Sequence, residues 1–344
     1  MINLGNPEIA FALMAVRQAS LLVKQVQSEM VSAALTKEDR SPVTVADFAA
    51  QALVAHLLEQ EFPEDPLVAE EDAGSLRPQA GRDGSTLQQV TEFVSRSTGR
   101  VDPLTVCEWI DRGAALPVGR FWTLDPIDGT KGFLRGDQYA VALALVVDGE
   151  VQVGALGCPN LAFSPDRIDG KHSPSLKPDM GDAGIVVISA LGQGTWATLL
   201  NRPGEYDPLS VSACNRAFEA RLLRSFESGH TNVDQIEDFS RRIGLQAEPV
   251  RMDSQAKYAV LASGGGELLL RLLSPEKPDY REKIWDHASG ALILREAGGQ
   301  ITDLEGKPLD FTAGRTLANN RGILASNGLL HQAALQALEQ TTSS

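Results

Sequence analysis

The sequence predicts a mixed αβ protein, with an α+β first half and an α/β second half. Three observations favour this fold class. Stretches of helical period and strand-like apolar runs are both present among the 344 residues. Asp148-Gly149 joins two β-rich runs, 139–147 and 150–156, which is typical of an antiparallel hairpin. From about residue 184 onward, strand-like and helical stretches alternate, as they do in α/β folds.

The first half opens with two predicted helices. Apolar residues recur at helical spacing over residues 7–34, and a second helix is expected with Thr44 as its N-cap. Residues 73–119 are rich in Gly, Pro, Ser and Arg, which indicates a long surface excursion with one short helix near residues 86–95. The run at 121–124 is typical of a buried strand, and it precedes the hairpin.

A polar, proline-bearing segment at 164–183 is the best candidate for a domain boundary. We therefore expect two units, residues 1–165 and residues 184–344. Within the second unit the patterns predict strands at 184–190 and 267–273 and helices at 234–244, 258–262, 286–297 and 329–339.

The charge balance argues against two classes of partner. The chain has 31 Lys and Arg against 45 Asp and Glu, a net charge of −14, with a pI of about 4.9. A protein that grips nucleic acid, or that lies on an anionic membrane, needs a basic surface. We therefore expect neither nucleic acid nor membrane as a partner. Carboxylates do bind hard cations, so a metal site is compatible with this composition.

Cysteine usage and hydropathy predict where the protein works. Cys107, Cys158 and Cys214 are odd in number, far apart and without metal-binding spacing, which favours a reducing compartment. The sequence has no run of 18 apolar residues and no basic N-terminal region typical of a signal peptide. The expectation is a cytoplasmic protein without a transmembrane helix, and a monomer.

The segment WTLDPIDGT, residues 122–130, carries the sharpest chemical signal. A strand delivers Asp125, and Asp128 follows three residues later, so both carboxylates can face one point with the carbonyl of Ile127 between them. Gly129-Thr130 can open a helix, whose free N–H groups favour a phosphate. The alternative is a loop whose aspartates cap backbone groups.

Three further acids extend this pattern, and each also fits an ordinary structural role. Glu70 lies in an acidic triplet that also suits a solvated loop, Asp47 suits the first turn of a helix, and Asp286 suits a helix N-cap. His287, at a helix start, is more typical of a structural residue than of a catalytic one. Taken together, the acids and the Ile127 carbonyl supply enough oxygen ligands for two or three Mg²⁺ ions.

Four segments resemble those of the inositol monophosphatase superfamily: DPIDGT, VAEED, SPVTVADFAAQ and KIWDHASGALILREAGG. The resemblance runs from about Pro7 to the end of the chain. It implies a layered αβαβα sandwich and a magnesium-dependent, lithium-sensitive phosphatase. The form of residues 41–51, the connector of about 50 residues between Glu70 and Asp125, and the stretch 251–258 resemble the 3′(2′),5′-bisphosphate nucleotidase branch.

The resemblance also implies a role for each site residue. The implied magnesium ligands are Glu70, Asp125, Ile127 through its carbonyl, Asp128 and Asp286. The residues implied to orient and deprotonate the attacking water are Asp47 and Thr130. The residues implied to hold the substrate are Gly129 and Thr130 at the phosphate that is cleaved, and His230, Ser254, Lys257 and Arg271 at the nucleotide. His230 falls where the family places a residue against the adenine, and the two cations would hold the second phosphate.

The expected reaction is hydrolysis of 3′-phosphoadenosine 5′-phosphate to AMP and phosphate, with the sulfated relative, 3′-phosphoadenosine 5′-phosphosulfate, as a further candidate substrate. One alternative is a phosphatase of inositol phosphates, including inositol polyphosphate 1-phosphates. Another, from a different class, is a protein that senses nucleotides without turnover. The sequence leaves the preference between a 3′- and a 2′-phosphate open.

Overall fold

The computed structural model describes residues 2–31, 41–77, 84–164, 175–180, 184–202, 204–225, 233–274 and 276–339. The described helices are α1 (Pro7–Val26), α2 (Ser41–Glu61), α3 (Ser85–Thr98), α4 (Pro103–Asp111), α5 (Thr130–Arg135), α6 (Val233–Ile243), α7 (Ala256–Ala262), α8 (Ala288–Glu296) and α9 (His331–Glu339). The described strands are β1 (Leu67–Ala69), β2 (Arg120–Asp128), β3 (Ala140–Val147), β4 (Glu150–Cys158), β5 (Leu161–Ser164), β6 (Ser175–Met180), β7 (Ile185–Ala190), β8 (Thr195–Leu199), β9 (Asp207–Leu209), β10 (Leu222–Arg224), β11 (Val250–Arg251), β12 (Leu268–Arg271), β13 (Gln300–Thr302) and β14 (Ile323–Ser326).

These elements stack as five layers, which confirms the predicted αβαβα sandwich. Helices α1 and α2 cover one face of a seven-stranded sheet with the order β1-β2-β3-β4-β7-β8-β9. Helices α7 and α8 lie between this sheet and a five-stranded sheet with the order β11-β10-β12-β14-β13. Helices α6 and α9 cover the far side of the second sheet. Three apolar cores result, one at each side of the first sheet and one beneath α6 and α9.

The register of the first sheet brings two chain segments to one edge. Strand β1 pairs in parallel with β2, and Ala69 lies opposite Leu124. The next residues along the chain, Glu70 and Asp125, therefore lie side by side, Glu70 just past the end of β1 and Asp125 still within β2. The pairing of β2 with β3 is irregular between Asp125 and Asp128, because Pro126 has no N–H to donate to the ladder. The irregular stretch lies between the two aspartates, which pair with Ala142 and Ala140 of β3.

Helix α1 is the main cover of the first sheet. Asn6 caps it by accepting a hydrogen bond of 3.0 Å from the amide of Ile9, and Pro7 occupies its first position. By length and composition the segment Pro7–Met30 also satisfies the criteria for a membrane span, contrary to the expectation from apolar runs. However, 61% of its apolar window is buried inside the protein, as in a core helix. A π-helical turn, Gln27–Val31, continues α1 within the range predicted for this helix.

Several local predictions are confirmed and others are wrong. The hairpin between β3 and β4 is present, with Asp148 and Gly149 at φ angles of 49° and 81°. Thr44 is not the N-cap of α2, because the helix begins one turn earlier at Ser41. A proline near the start of a helix costs no hydrogen bond, so Pro42 does not delay it. Asp286 is not an N-cap either, since α8 begins at Ala288.

The predicted surface excursion at 73–119 is wrong, because α3 and α4 lie within it and both pack against α2. Helix α3 buries a stripe of apolar side chains, Leu87, Val90, Phe93 and Val94. Helix α4 is capped by Asp102, whose carboxylate accepts bonds from two backbone amides, and it begins with a proline. The polar composition of this segment belongs to the solvent faces and connections, and the helical period of its apolar residues decides the structure.

The segment proposed as a domain boundary does not separate the two sheets. Strand β6, from residues 175–180, pairs with β5 across it. Strands β7, β8 and β9 follow it in sequence and belong to the first sheet. The division into residues 1–165 and 184–344 stays a prediction.

Candidate active site

The four acidic side chains implied as metal ligands line one cleft of about 250 Å³ between the two sheets, together with Asp253, which is paired with Arg135. Asp125 and Asp128 come from the end of β2, Glu70 from the residue after β1, and Asp286 from the turn before α8. Ile127 lines the same wall. The predicted metal ligands, which are spread over more than 200 residues of sequence, therefore meet at one place.

The same cleft is also lined by the predicted phosphate-binding groups. Gly129 and Thr130 lie at the start of α5, Ser254 and Lys257 at the start of α7, and Arg271 at the end of β12. The cleft therefore has an acidic wall and a cationic wall. His230 lies outside the described residues, and its predicted place against the adenine stays a prediction.

The acids of the cleft repel one another, and the protein around them excludes water. Burial raises the pKa of Asp125 and of Asp286, and the neighbouring carboxylates add to both shifts. Glu70 keeps part of its surface open to the cleft, yet the surrounding protein desolvates its carboxylate. This desolvation, with the charges of Glu71 and Asp128, raises the pKa of Glu70 to about 7. The cluster is therefore short of positive charge.

Asp47 is not among the residues that line the cleft, but it lies close enough to Asp125 for its charge to raise the pKa of that carboxyl. It is 6% exposed, and burial, followed by the charges of Glu71 and Glu70, raises its pKa. Its Oδ1 atom and the Oδ1 atom of Asp125 are buried, and neither has a hydrogen-bond partner among the described residues. A buried carboxylate oxygen without a donor is costly, and a cation would offset that cost. These residues therefore fit a divalent metal with oxygen ligands.

Gln255 connects the two halves of the acidic wall, although sequence reasoning gave it no role. Its backbone amide donates a hydrogen bond of 2.6 Å to Oδ2 of Asp128. Its side-chain amide donates a bond of 3.0 Å to the carbonyl of Trp285, the residue before Asp286. The one signal for it in the sequence was its position between Ser254 and Lys257.

Gln51 supports the loop that carries Glu70 from the other side, and sequence reasoning also gave it no role. It lies four residues after Asp47, so both side chains share one face of α2. Its Nε2 donates 2.7 Å bonds to the carbonyls of Glu71 and Ile110, and its Oε1 accepts a 3.0 Å bond from the amide of Glu71. The Gln at the end of the first motif was the available signal.

Gly129 and Ser254 touch across the floor of the cleft. Gly129 has φ +90°, and a Cβ atom placed on it would lie 2.8 Å from the Cβ of Ser254. Ser254 itself has φ +69°, a left-handed conformation that is strained for a residue other than glycine. Such outliers concentrate at functional sites, where the surrounding structure holds them in place. The start of α5 and the start of α7 are thus in direct contact.

The cationic wall is held by buried polar groups. Lys257 donates a 2.7 Å bond from Nζ to Oγ of Ser225. Burial, helped by the charge of Arg271, lowers the pKa of Lys257 to about 8. Arg271 donates from Nη2 to Oε2 of Glu282 at 2.8 Å and from Nε to Oε1 at 3.3 Å. Burial alone would lower the pKa of Arg271, but the Glu282 carboxylate outweighs it and raises the pKa.

Glu282 and His287 belong to this support and not to the acid set. His287 is bonded through Nδ1 to the hydroxyl of Tyr258 at 2.8 Å and through Nε2 to Glu282 at 3.2 Å. Ligand-type atoms of Glu282, Asp286 and His287 lie within 4.8 Å of one another. Because Glu282 is paired with Arg271 and both nitrogens of His287 are engaged, Asp286 is the member of this trio that is best placed to bind a metal.

The chain is similar to proteins of known type over nearly its whole length. A model of the inositol monophosphatase family matches residues 6–343. A 3′(2′),5′-bisphosphate nucleotidase of Schizosaccharomyces pombe is 38% identical over 352 residues, covering 98% of this chain and 96% of that protein. Proteins of the same name from Emericella nidulans and Oryza sativa are 39% and 40% identical, cover 95% and 97% of this chain, and are themselves covered over 96% and 95% of their lengths.

Solved structures of lower identity share the fold. An inositol monophosphatase from Anabaena superimposes with a TM-score of 0.59 at 20% identity, covering 96% of this chain and 95% of that one. An inositol monophosphatase from Thermotoga maritima gives a TM-score of 0.60 at 19% identity, and 98% of each chain is covered. At this identity the likeness establishes the layered αβαβα architecture.

Proposed function

Because the chain belongs to the inositol monophosphatase family, we propose that its cleft hydrolyses the 3′-phosphate of 3′-phosphoadenosine 5′-phosphate to give AMP and phosphate. The protein is thus a 3′(2′),5′-bisphosphate nucleotidase, a phosphoric monoester hydrolase, like the fungal and plant relatives of that name. Members of this family are metal-dependent phosphatases, typically with Mg²⁺.

The observation that carries this proposal is the two-sided cleft. A substrate with two phosphates needs one site that breaks a P–O bond and another that only recognises charge. The acidic wall with its buried, unpartnered oxygens supports the first task, and the wall with Lys257 and Arg271 supports the second. A guanidinium can hold a phosphate through two parallel hydrogen bonds.

Magnesium would be held by Glu70, Asp125, the carbonyl of Ile127, Asp128 and Asp286, with two or three ions as the expected number. When bound, it supplies positive charge that offsets the repulsion between a phosphate dianion and an oxygen nucleophile. The carboxylates of this chain bind and orient that charge. Their mutual repulsion in the metal-free protein is what makes the set selective for a cation.

The remaining residues of the site position the reacting groups. Asp47 and Thr130 orient the attacking water, and Asp47 accepts its proton. In the metal-free protein, burial and the acidic neighbours raise the pKa of Asp47, so its carboxyl group holds a proton more readily than that of an ordinary aspartate. The backbone amide of Gly129 and the hydroxyl of Thr130 hold the phosphate that is cleaved. Water then forms the new P–O bond as the bond to the 3′-oxygen breaks. That oxygen takes a proton from solvent water, and Asp47 returns its proton to solvent.

Specificity for the substrate would come from the cationic wall of the cleft. Ser254, Lys257 and Arg271 bind the nucleotide, with the two cations on the phosphate that is not cleaved, and His230 is the residue proposed to contact the adenine. These groups set the choice of substrate more than the rate, because they contact a phosphate that does not react. Hydrolysis of the sulfated relative, 3′-phosphoadenosine 5′-phosphosulfate, is part of the proposal.

We also propose that the protein acts as a cytoplasmic monomer on a small molecule, with neither nucleic acid nor membrane as a partner. Its net charge of −14 disfavours both polyanionic surfaces. Cys107, Cys158 and Cys214 are all free thiols, which agrees with a reducing compartment.

Phosphate release from a substrate panel tests the proposal. The full-length protein is assayed with and without MgCl₂ on 3′-phosphoadenosine 5′-phosphate, on its 2′-phosphate isomer and on inositol 1-phosphate. We expect magnesium-dependent release from the bisphosphate nucleotides and little from the inositol ester. Asp128→Asn should lower kcat by about two orders of magnitude or more while the protein stays folded, since it removes a charged group from the reacting centre.

Two outcomes would contradict this function. A preference for inositol 1-phosphate would replace the nucleotidase by an inositol phosphate phosphatase. Binding of the nucleotide without any turnover in MgCl₂ would indicate a sensor.

A further inference from the structure

Arg315 contacts two segments that carry acids of the cluster, the one before Glu70 and the one before Asp286. It lies in the connection between β13 and β14, close to neither end. Its Nη1 donates to the carbonyls of Gly113 at 3.0 Å and Ala115 at 3.3 Å, and its Nη2 donates to the carbonyl of Ala69. Ala69 is the last residue of β1 and directly precedes Glu70. One guanidinium thus binds three carbonyls at the end of the first sheet.

The same guanidinium lies over the ring of Trp285, 4.9 Å from the ring centre. Trp285 is 5% exposed and directly precedes Asp286. The backbone reinforces this contact, because the amide of Ile284 donates a 3.2 Å bond to the carbonyl of Arg315, and Lys283 pairs with Thr316. Arg315 therefore contacts the residue before Glu70 and the residue before Asp286 at once.

The charge of Arg315 is not used in an ion pair within the described part of the chain. Burial lowers its pKa, and only carbonyls and an aromatic ring compensate for the lost water. A half-buried guanidinium without a carboxylate is costly to keep, although its contacts are geometrically specific. Those contacts point to alignment of the two segments.

We infer that Arg315 is a positioning residue for the metal site: it holds the segment carrying Glu70 against the turn carrying Asp286. The inference rests on the proposed function only in taking these two acids as metal ligands. The two carboxylates come from segments about 215 residues apart, and the charge of Glu70 contributes to the repulsion on Asp286. A clamp on the residue before each acid keeps their oxygens near enough to share a cation.

The test measures Mg²⁺ binding directly, by titration calorimetry on the substrate-free, full-length protein, alongside urea unfolding without metal. We compare Arg315→Met and Arg315→Lys with the wild type. Loss of groups that orient metal ligands typically lowers metal affinity about 10- to 100-fold, and we expect about tenfold for Arg315→Met. Arg315→Lys should lie between, because lysine keeps the charge but cannot bind three carbonyls and cover a ring at once.

Arg120→Met is the matched control. Arg120 donates to Asp65 at 2.9 Å and to Glu8 at 3.4 Å, and it lies over the ring of Phe62. It is the first residue of β2, whereas the proposed metal ligands Asp125 and Asp128 lie at the other end of that strand. Its loss should lower the urea midpoint and leave Mg²⁺ affinity unchanged. A general loosening of the fold would instead weaken Mg²⁺ binding in both variants.

The inference is overturned if Arg315→Met binds Mg²⁺ as the wild type does, or if Arg120→Met weakens binding as much. If Arg315→Met does not fold, Arg315→Lys decides, and wild-type affinity in that variant overturns the inference. A wild-type protein that binds no Mg²⁺ would instead refute the proposed metal site itself. A wild type that binds Mg²⁺, with a selective loss in the Arg315 variants, supports both.

Discussion

Gly129→Ala tests the contact between the two helix starts that form the floor of the cleft. Gly129 precedes α5, and Gly136 follows it, so one helix has a left-handed glycine at each end. Their φ angles are similar, +90° and +75°. A Cβ on Gly129 would lie 2.8 Å from the Cβ of Ser254, whereas a Cβ on Gly136 meets nothing within 4 Å. Gly136→Ala is therefore a matched control that changes the conformational cost alone.

The expected magnitudes follow from these two environments. Alanine in the left-handed region costs about 1–2 kcal/mol, and this cost applies to both variants. Carbon atoms pack at about 3.5–4.0 Å, so the alanine at 129 forces a shift of about 1 Å. Overpacking of this kind adds about 1–3 kcal/mol. We expect the free energy of unfolding to fall by about 2–5 kcal/mol in Gly129→Ala and by about 1–2 kcal/mol in Gly136→Ala.

Activity should separate the variants further. Ser254 and the amide of Gly129 both line the cleft, and a misplacement of about 1 Å at a reacting site can cost about 100-fold. We expect kcat/KM for 3′-phosphoadenosine 5′-phosphate to fall by about that factor in Gly129→Ala and by less than about threefold in Gly136→Ala. Urea unfolding and phosphate release measure the two effects. Equal losses of stability and activity in both variants would refute the reasoning from this contact.

Four further predictions concern charge. Asp125→Asn should remove activity but raise the urea midpoint of the metal-free protein. Burial raises the pKa of this carboxyl, so its charge costs stability at neutral pH, and a lowered midpoint in the variant would contradict this. The pKa values of Asp125, Asp286 and Glu70 are raised on folding, Glu70 to about 7, so their penalty is fully present above the folded pKa and disappears below the unfolded one. Lowering the pH from about 8 to about 6 should therefore stabilise the metal-free protein, and saturating MgCl₂ should cancel this gain, as followed by thermal unfolding. Burial lowers the pKa of Lys257 to about 8, so kcat/KM for the bisphosphate should fall as the pH rises through that value. A nucleotide that carries only the 3′-phosphate should show no such decline. Identical pH profiles for the two substrates would contradict a role of Lys257 in substrate binding. Lithium at millimolar concentration should inhibit phosphate release, and full activity in tens of millimolar LiCl would count against the family's metal chemistry in this site.

Local sequence patterns predicted the elements that carry a strong period or a specific turn. The hairpin at Asp148-Gly149 is an example. Both residues of its turn have positive φ angles, and an Asp-Gly pair adopts such angles more readily than most pairs. Composition was a poorer guide at 73–119, where Gly, Pro and Arg suggested surface and the apolar stripe of α3 is nevertheless buried. The start of α2 was missed by one turn, because capping signals at Ser41 and Thr44 are equally good in isolation.

In the candidate site too, some residues could be predicted from the sequence and others could not. Motifs predicted which acids matter, since Asp125, Asp128 and their neighbours stand in a short segment with few structural explanations. The supports of these acids were not predictable, because Gln51, Gln255 and Arg315 act through bonds to backbone carbonyls and amides. Such bonds depend on which loops lie next to one another, and any polar side chain of the right length satisfies the sequence pattern.

The fold class, the acidic motifs and the family could be predicted from the sequence, since these depend on local periods and on short segments of specific residues. The tertiary structure was needed to place Glu70 beside Asp125, Gly129 against Ser254, and one arginine against both acidic segments. The physical reason is that burial, repulsion between carboxylates and close backbone approach arise from residues far apart along the chain. Burial, carboxylate repulsion and close backbone contacts are therefore set by how the helical and sheet layers pack.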